Sequence, residues 1–107
     1  MRKDVAWLHG DVKTPPFSTE ARREAGYSIR ERQDGRLLEL PHSRPMPSIG
    51  PGVHELRIRD ASANWRIIYR IDADAIVIGE VFDKKTSATP KPVIDVCKAR
   101  FAQYDEG

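Results

Sequence analysis

The chain has 107 residues, one cysteine and a net charge of only +2, which excludes an internal disulfide and a strong overall attraction to nucleic acid. This length is typical of one domain, and we expect a single domain over residues 1–107. The sequence holds no apolar run that could cross a bilayer and no signal-peptide core, which favours a cytoplasmic protein without a membrane partner.

The N-terminal third predicts one strand followed by one helix. Asp4–Leu8 has the composition of a short strand, which we expect to pair with the sheet formed later in the chain. Ser18 is a favourable N-cap for a helix that extends to about Gln33, where Asp34 and Gly35 provide a stop. Arginines follow the solvent side of this helix, and a solvated charged face is their simplest interpretation. These are Arg22, Arg23, Arg30 and Arg32.

Two segments connect this helix to the next strands. Arg36–Leu40 predicts a short apolar turn or a second helix. Pro41–Gly52 is dense in proline and glycine. We interpret it as an ordered loop, because proline lowers the entropy that is lost on ordering.

Three consecutive strands form the centre of the predicted fold, at Val53–Arg59, Trp65–Ile71 and Ala75–Asp83. The first two alternate apolar and polar residues, which predicts a hairpin with one apolar and one charged face. Burying the apolar set fixes the register and leaves Asp60–Ala63 as the loop. The predicted pairs are Leu56 with Ile67, Ile58 with Trp65, Arg57 with Arg66, and Glu55 with Ile68. The third strand is apolar on both sides, which is typical of a strand covered on both faces.

The C-terminal segment predicts a helix that packs on this sheet. Thr89 is the predicted N-cap and Pro90 the first helical residue. Apolar residues recur every three or four positions in this segment, which is typical of a helix with one buried side. Cys97 belongs to this apolar set, and we interpret it as a small core residue. The order of elements predicts an α+β fold. We expect an antiparallel β-sheet, made of the N-terminal strand and the three-stranded meander, flanked by N-terminal helices and a C-terminal helix.

The charged face of the hairpin is the candidate functional site. Arg57 and Arg66 would be cross-strand neighbours, open to solvent and without a resident carboxylate, and such a pair repels unless an anion binds between its members. A phosphate is the natural ligand. Glu55 could then act as general base on a ribose 2′-hydroxyl, while a lysine or arginine protonates the leaving oxygen. A surface salt-bridge ladder explains the same residues equally well.

The candidate residues fall into two sets. The candidate catalytic residues are Arg57, Arg66, Glu55 and Lys85. The candidate residues for binding RNA phosphate are Arg59, Arg70, Lys84 and Arg44. The three histidines follow no metal-ligand spacing, so no metal and no other cofactor is predicted. His54 lies by parity on the apolar face beside Tyr69, where a hydrogen-bonded, half-buried histidine is expected rather than a catalytic one.

The succession of short segments in this chain resembles the RelE superfamily of toxins. The likeness is carried by ELRI (Glu55–Ile58), WRIIYR (Trp65–Arg70), DAIVIGEVF (Asp74–Phe82), KKT (Lys84–Thr86) and the closing helix. The upstream PPFS and SRPMPSIG stretches are similar to the phage-derived, HigB-like branch of that superfamily. The resemblance covers nearly the whole chain.

This resemblance implies a type II toxin that acts with a helix-turn-helix antitoxin and cleaves mRNA on the ribosome without a metal, leaving a 2′,3′-cyclic phosphate. By position, Arg66 corresponds to the family's transition-state arginine and Arg57 to a basic residue of the first strand. Lys84 or Lys85 corresponds to a basic residue after the last strand, and Glu55 stands where some members have a base. The chain has no C-terminal histidine of the kind that some members use as an acid.

Two alternatives remain open at this level. A ParE-like toxin shares the fold but inhibits DNA gyrase through exposed apolar side chains on its N-terminal helices. A phage-derived protein could also keep the fold only to bind a partner. The predicted cluster of arginines and lysines favours the endoribonuclease over both, because neither alternative needs it.

Overall fold

A computed structural model of the protein describes residues 3–8, 18–35, 43–60, 63–85 and 88–107. The predicted strands and helices are found within these ranges, close to their predicted bounds, and a short strand is added. The elements are β1 (Asp4–Trp7), α1 (Thr19–Gln33), β2 (Ser43–Pro45), β3 (Val53–Arg59), β4 (Asn64–Ile71), β5 (Ala75–Asp83) and α2 (Lys91–Asp105). The predicted turn or second helix at Arg36–Leu40 lies outside the described residues.

The strands form one sheet in the order β1-β5-β4-β3-β2. The pairs β2–β3, β3–β4 and β4–β5 are antiparallel, but β1 runs parallel to β5, with Asp4 opposite Ala75. The prediction of a wholly antiparallel sheet is therefore wrong, and the sheet is mixed. A hairpin turn forces antiparallel pairing, whereas β1 reaches β5 only through a long connection, which allows a parallel pair. The added strand β2 lies in the predicted proline-rich loop and pairs with β3 at the sheet edge.

The predicted register of the central hairpin is confirmed. Leu56 lies opposite Ile67 and Arg57 lies opposite Arg66, as the alternation of apolar residues requires. The backbone N–H of Asp60 donates to the carbonyl of Ala63 across the loop, at 3.1 Å. Glu55, Arg57 and Arg66 share one face as predicted, but Val53 and Ile68 on that same face are buried in a hydrophobic core.

Within the described residues, each face of the sheet carries one helix and one hydrophobic core. Ala21, Ala25 and Ile29 of α1 pack against the apolar face of the hairpin. Cys97 and Phe101 of α2 pack on the other face, where they form the second core. Both cores share β5, which explains why that strand is apolar on both sides. The core position predicted for Cys97 is confirmed, and its burial raises the pKa of the thiol to about 12.

Gly79 allows α2 to approach β5 closely. It is the extra residue of a bulge at which the register between β4 and β5 shifts. A Cβ atom at this position would lie 2.8 Å from the Cζ of Phe101 and 3.3 Å from the Sγ of Cys97. The 2.8 Å distance to Phe101 is shorter than a normal van der Waals contact, so a side chain at position 79 would displace α2.

The two helices begin differently. Ser18 caps α1 as predicted, because its Oγ accepts a hydrogen bond from the backbone N–H of Ala21 at 3.1 Å. The predicted cap of α2 is wrong: the helix starts at Lys91 after Pro90, without a side-chain cap. The Thr89 hydroxyl is instead hydrogen-bonded to a buried carboxylate of the sheet. Neither described helix combines the length and the apolar character that a membrane span requires.

Candidate functional site

A polar cluster occupies the α2 face of the sheet, beyond the end of the second core. Three cationic side chains pair with one buried carboxylate there and a fourth lies beside them, and each of the four comes from a different element or connection. We call this group the cationic cluster. It consists of Arg44 on β2, Arg57 on β3, Arg66 on β4 and Lys84 after β5, around Glu55 on β3.

Glu55 is the centre of the cluster and is completely buried, with 0% of its side chain exposed. Its Oε1 accepts hydrogen bonds from the Nε of Arg44 at 3.1 Å and from the Nζ of Lys84 at 3.2 Å. Its Oε2 accepts a hydrogen bond from the hydroxyl of Thr89 at 2.6 Å. The Nε of Arg66 lies 3.6 Å from Oε1, which is an ion pair without a hydrogen bond.

These contacts keep Glu55 ionised. Burial alone raises the pKa of this carboxyl, but the hydrogen bond from Thr89 and the charges of Lys84 and Arg44 outweigh burial, so the pKa lies below its ordinary value. A carboxylate with a low pKa and no solvent access is a poor proton acceptor for an external hydroxyl. The geometry suits a counterion that holds three cations in place.

Arg57 and Arg66 lie side by side on one face, as the register predicts. They are half-buried rather than open to solvent, and the resident carboxylate that the sequence did not predict is Glu55. Even so, within the described ranges the Nε atoms of both arginines have no hydrogen-bond acceptor. Burial and the charge of Arg57 lower the pKa of Arg66, while Glu55 opposes this shift. These two Nε atoms are themselves buried, so an external anion could meet only the exposed parts of the half-buried guanidiniums.

The two lysines after β5 point to different places. Lys84 is buried in the cluster, with 4% of its side chain exposed, and burial lowers the pKa of its ammonium group although Glu55 opposes this effect. Lys85 has 77% of its side chain exposed and pairs with Asp83 at 2.7 Å. Successive side chains in extended backbone point to opposite sides, so only one of the two can enter the cluster. Lys84 is that residue.

Two other candidate arginines lie outside the cluster. Arg59 is exposed at the end of β3, on the same side of the sheet as Arg57 by alternation. Arg70 lies at the opposite end of β4 and is held by Asp72 at 2.7 Å and by Asp105 at 2.6 Å. These bonds raise the pKa of Arg70 and fasten the C-terminal end of α2 to the sheet. The structure does not bring Arg70 to the predicted phosphate site.

Thr89 contacts the cationic cluster, although the sequence predicts it as the N-cap of α2. Its hydroxyl donates to Glu55 and accepts a hydrogen bond from Arg44 at 3.3 Å. Its position before a proline is typical of an N-cap, and no local pattern shows that a buried carboxylate competes for the hydroxyl. The competition becomes visible only in the folded structure, where β3 brings Glu55 next to Thr89.

The predicted position of His54 is confirmed: it is half-buried on the face opposite the cluster. Its ring stacks on Tyr69 with the centroids 5.5 Å apart, and its Nδ1 lies 3.2 Å from the carbonyl of Gly52. Burial lowers the pKa of this imidazole. In the part of the chain that the structure describes, no three His, Cys, Asp or Glu side chains are placed to hold a metal ion.

The arrangement favours binding of an anion. Three cations share the carboxylate of Glu55 and Arg57 lies beside them, which leaves an excess of positive charge on this part of the sheet. The planar forks of Arg57 and Arg66 match the oxygens of a phosphate. The fold and the site thus define a small α+β protein with a concentrated, partly desolvated cationic site.

Comparison with known proteins identifies the family. Residues 16–102 match the model of the family described as phage derived protein Gp49-like (DUF891). The match covers most of the chain, and the chain belongs to this family. Membership is consistent with the toxin class of toxin–antitoxin systems that the sequence resembles.

One curated relative shares a segment with this chain. It is the protein named ribosome maturation factor RimM from Methylorubrum populi, which is 38% identical over 52 residues. The match covers 49% of this chain and 23% of that protein, so the chain spans less than a quarter of its relative's length.

Proposed function

We propose that this protein is the toxin of a type II toxin–antitoxin system, related to the RelE and HigB toxins, and that it cleaves mRNA on the ribosome. The observation that carries the proposal is the cationic cluster, in which Arg57 and Arg66 lie side by side on adjacent strands and the positive charges outnumber the one carboxylate. Charge in a phosphoryl-transfer transition state builds up on the phosphate oxygens, and fixed guanidiniums stabilise it there. Membership of the phage-derived family supports the same class.

In the proposed reaction, a ribose 2′-hydroxyl attacks the adjacent phosphorus and the 5′-oxygen of the next nucleotide leaves. The products are a 2′,3′-cyclic phosphate and a 5′-hydroxyl, with one proton removed from the nucleophile and one delivered to the leaving oxygen. Arg57 and Arg66 would grip the non-bridging oxygens of the scissile phosphate. Because both side chains are anchored by the sheet, little reorganisation is needed when the charge develops.

The roles of the remaining candidates follow from their surroundings. Glu55 and Lys84 are buried against each other, so we assign them to holding the arginines rather than to proton transfer. Lys85 is exposed outside the cluster and paired with Asp83, so a role as proton donor to the leaving oxygen would require this pair to open. Arg59 and Arg44 would contact flanking phosphates.

The test is primer extension on a reporter mRNA in a translating extract. Wild-type protein should produce cuts that are confined to translated codons, and a start-codon variant of the reporter should remain intact. Arg66→Ala should abolish the cuts while its circular dichroism spectrum stays unchanged. If untranslated and translated messages stay equally intact with wild-type protein, the proposal is wrong.

A second candidate function is a non-catalytic, phosphate-binding protein of the same fold. The burial of Glu55 favours it, because this removes the one carboxylate of the cluster from contact with substrate. This candidate predicts intact mRNA and retained RNA binding. The gyrase alternative has weaker support, because Tyr27 is the one large hydrophobic residue of α1 recorded as exposed among the described residues. DNA cleavage complexes with intact message would identify it.

Partners and location follow from the main proposal. A toxin that acts on translated mRNA works in the cytoplasm and binds the ribosome. It also needs a cognate antitoxin, for which a helix-turn-helix protein is our expectation. Co-purification of the protein with the product of a neighbouring small gene would test that partner directly.

A further inference from the structure

On the outer surface of α1, the basic and the acidic side chains lie on two different sides of the helix. One turn of helix contains 3.6 residues, so Arg22, Gly26 and Arg30 share one side, and Arg23 lies beside them. The acidic residues of the helix follow the other side. These are Glu20, Glu24 and Glu31. We call the first surface, together with Tyr27 at its border, the basic side of α1.

The arginines of this surface are not used in folding. Arg22, Arg23 and Arg30 are exposed, and none of them forms an ion pair with another residue in the described ranges. Only Glu20 lies three residues from one of these arginines, Arg23, and no ion pair forms between the two. Arg23 and Arg30 are separated by about 10 Å along the axis, which suits contacts to separate phosphates of a nucleic-acid strand.

Gly26 lies in the middle of this surface, and neither backbone geometry nor packing requires it. Its φ is not among the positive values, and a Cβ atom added to it would meet nothing within 4 Å. Glycine in a helix interior costs stability relative to alanine. It does provide a bare stretch of helix between arginines, where another backbone can approach closely.

Tyr27 supplies an aromatic ring beside the arginines, with 66% of its surface exposed. Aromatic rings next to arginines stack on unpaired bases, as in many single-strand and loop-binding proteins. A stable protein interface would need an apolar centre, and Tyr27 alone of the exposed large hydrophobics in the described residues lies on α1. The surface therefore fits a polyanion better than a protein partner.

We propose that the basic side of α1 binds the phosphate backbone of structured RNA, with Tyr27 stacking on an unpaired base. α1 packs on the face of the sheet opposite the cationic cluster. The contact is therefore separate from the phosphate site and would hold a different segment of RNA. It does not depend on whether the cluster cleaves RNA.

The experiment measures fluorescence anisotropy of a short labelled RNA hairpin over a series of salt concentrations. The protein carries Arg66→Ala, so that cleavage cannot affect the result. Adding Arg23→Gln and Arg30→Gln should lower the affinity and reduce the slope of log K against log salt by about 1.4 to 1.8, as expected for two lost phosphate contacts. The control Lys91→Gln with Lys98→Gln removes the same charge from exposed positions of α2 and should leave the slope nearly unchanged.

Two further variants separate binding from folding. Gly26→Gln should keep or raise the melting temperature, because glutamine is the better helix former, and should lower RNA affinity by blocking close approach. Tyr27→Ala should lower affinity for the hairpin about tenfold and should affect a blunt duplex less. Equal slopes for the α1 and α2 variants, or wild-type affinity for Gly26→Gln, would overturn the proposal. So would binding of poly-glutamate with the same affinity and the same dependence on Arg23 and Arg30.

Discussion

Replacement of Glu55 by alanine tests whether this carboxylate holds the cationic cluster together. The change leaves Lys84 buried without its counterion and removes the shared acceptor of Arg44 and Arg66. Loss of one partner of a buried ion pair typically costs about 3–5 kcal/mol. Arg44 and Arg66 retain some solvent access, so we expect the cost to come mainly from Lys84 and to be about 3 kcal/mol. That is a large part of the total stability of an ordinary domain.

Urea unfolding followed by circular dichroism at neutral pH measures this cost through the linear extrapolation of the free energy of unfolding. Asp95→Ala is the matched control, because it breaks an exposed pair with Lys91 and should leave the midpoint nearly unchanged. Adding Lys84→Met to Glu55→Ala should recover stability, since it removes the uncompensated charge. A loss below about 1 kcal/mol for Glu55→Ala, or no coupling with Lys84→Met, would refute the assignment of Glu55 as the buried counterion.

Three other predictions concern pH, activity and packing. The pKa of Glu55 is lower in the folded protein than its ordinary 4.5, so its stabilising effect is complete at neutral pH and is lost as the pH falls below about 4.5. The stability difference between wild type and Glu55→Gln should shrink over that range in urea titrations. Arg66→Ala should abolish growth arrest in an induction assay, whereas Lys85→Ala should only weaken it. Equal arrest by wild type and Arg66→Ala would exclude the cationic cluster as the active site. Gly79→Ala should destabilise the fold by about 1–3 kcal/mol through overpacking, whereas Gly26→Ala should raise the melting temperature.

The sequence predicts the central sheet well, because its register follows from one physical requirement. Placing Leu56 and Ile58 in the core leaves a single pairing with β4, and that pairing sets Arg57 beside Arg66. The cap of α1 is equally predictable, since Ser18 acts on residues only three positions away. Such features depend on local spacing and on burial alone.

Features that depend on distant residues could not be predicted in the same way. The direction of β1 is set by a long connection rather than by a turn. The roles of Glu55 and Thr89 arise from the meeting of β3 with the start of α2, 34 residues apart. The alternation of side chains along β3 predicts that Glu55 lies beside the arginines, but it does not predict whether Glu55 is buried. Burial determines whether this carboxylate can act as a general base or only as a counterion. The choice between Lys84 and Lys85 likewise depends on how the chain leaves β5.

The most direct test of the central claim is a phosphate titration of the ¹⁵N-labelled protein, monitored through the Nε–H signals of its arginines. Arg57 and Arg66 lie side by side in the cationic cluster, so phosphate bound to their guanidiniums should shift these signals in a saturable way. The signal of Arg70 should stay in place, because Asp72 and Asp105 already hold that side chain. Saturable shifts confined to Arg57 and Arg66 are the predicted result. Weak, uniform shifts of all arginine signals, or none at these two, would contradict the account.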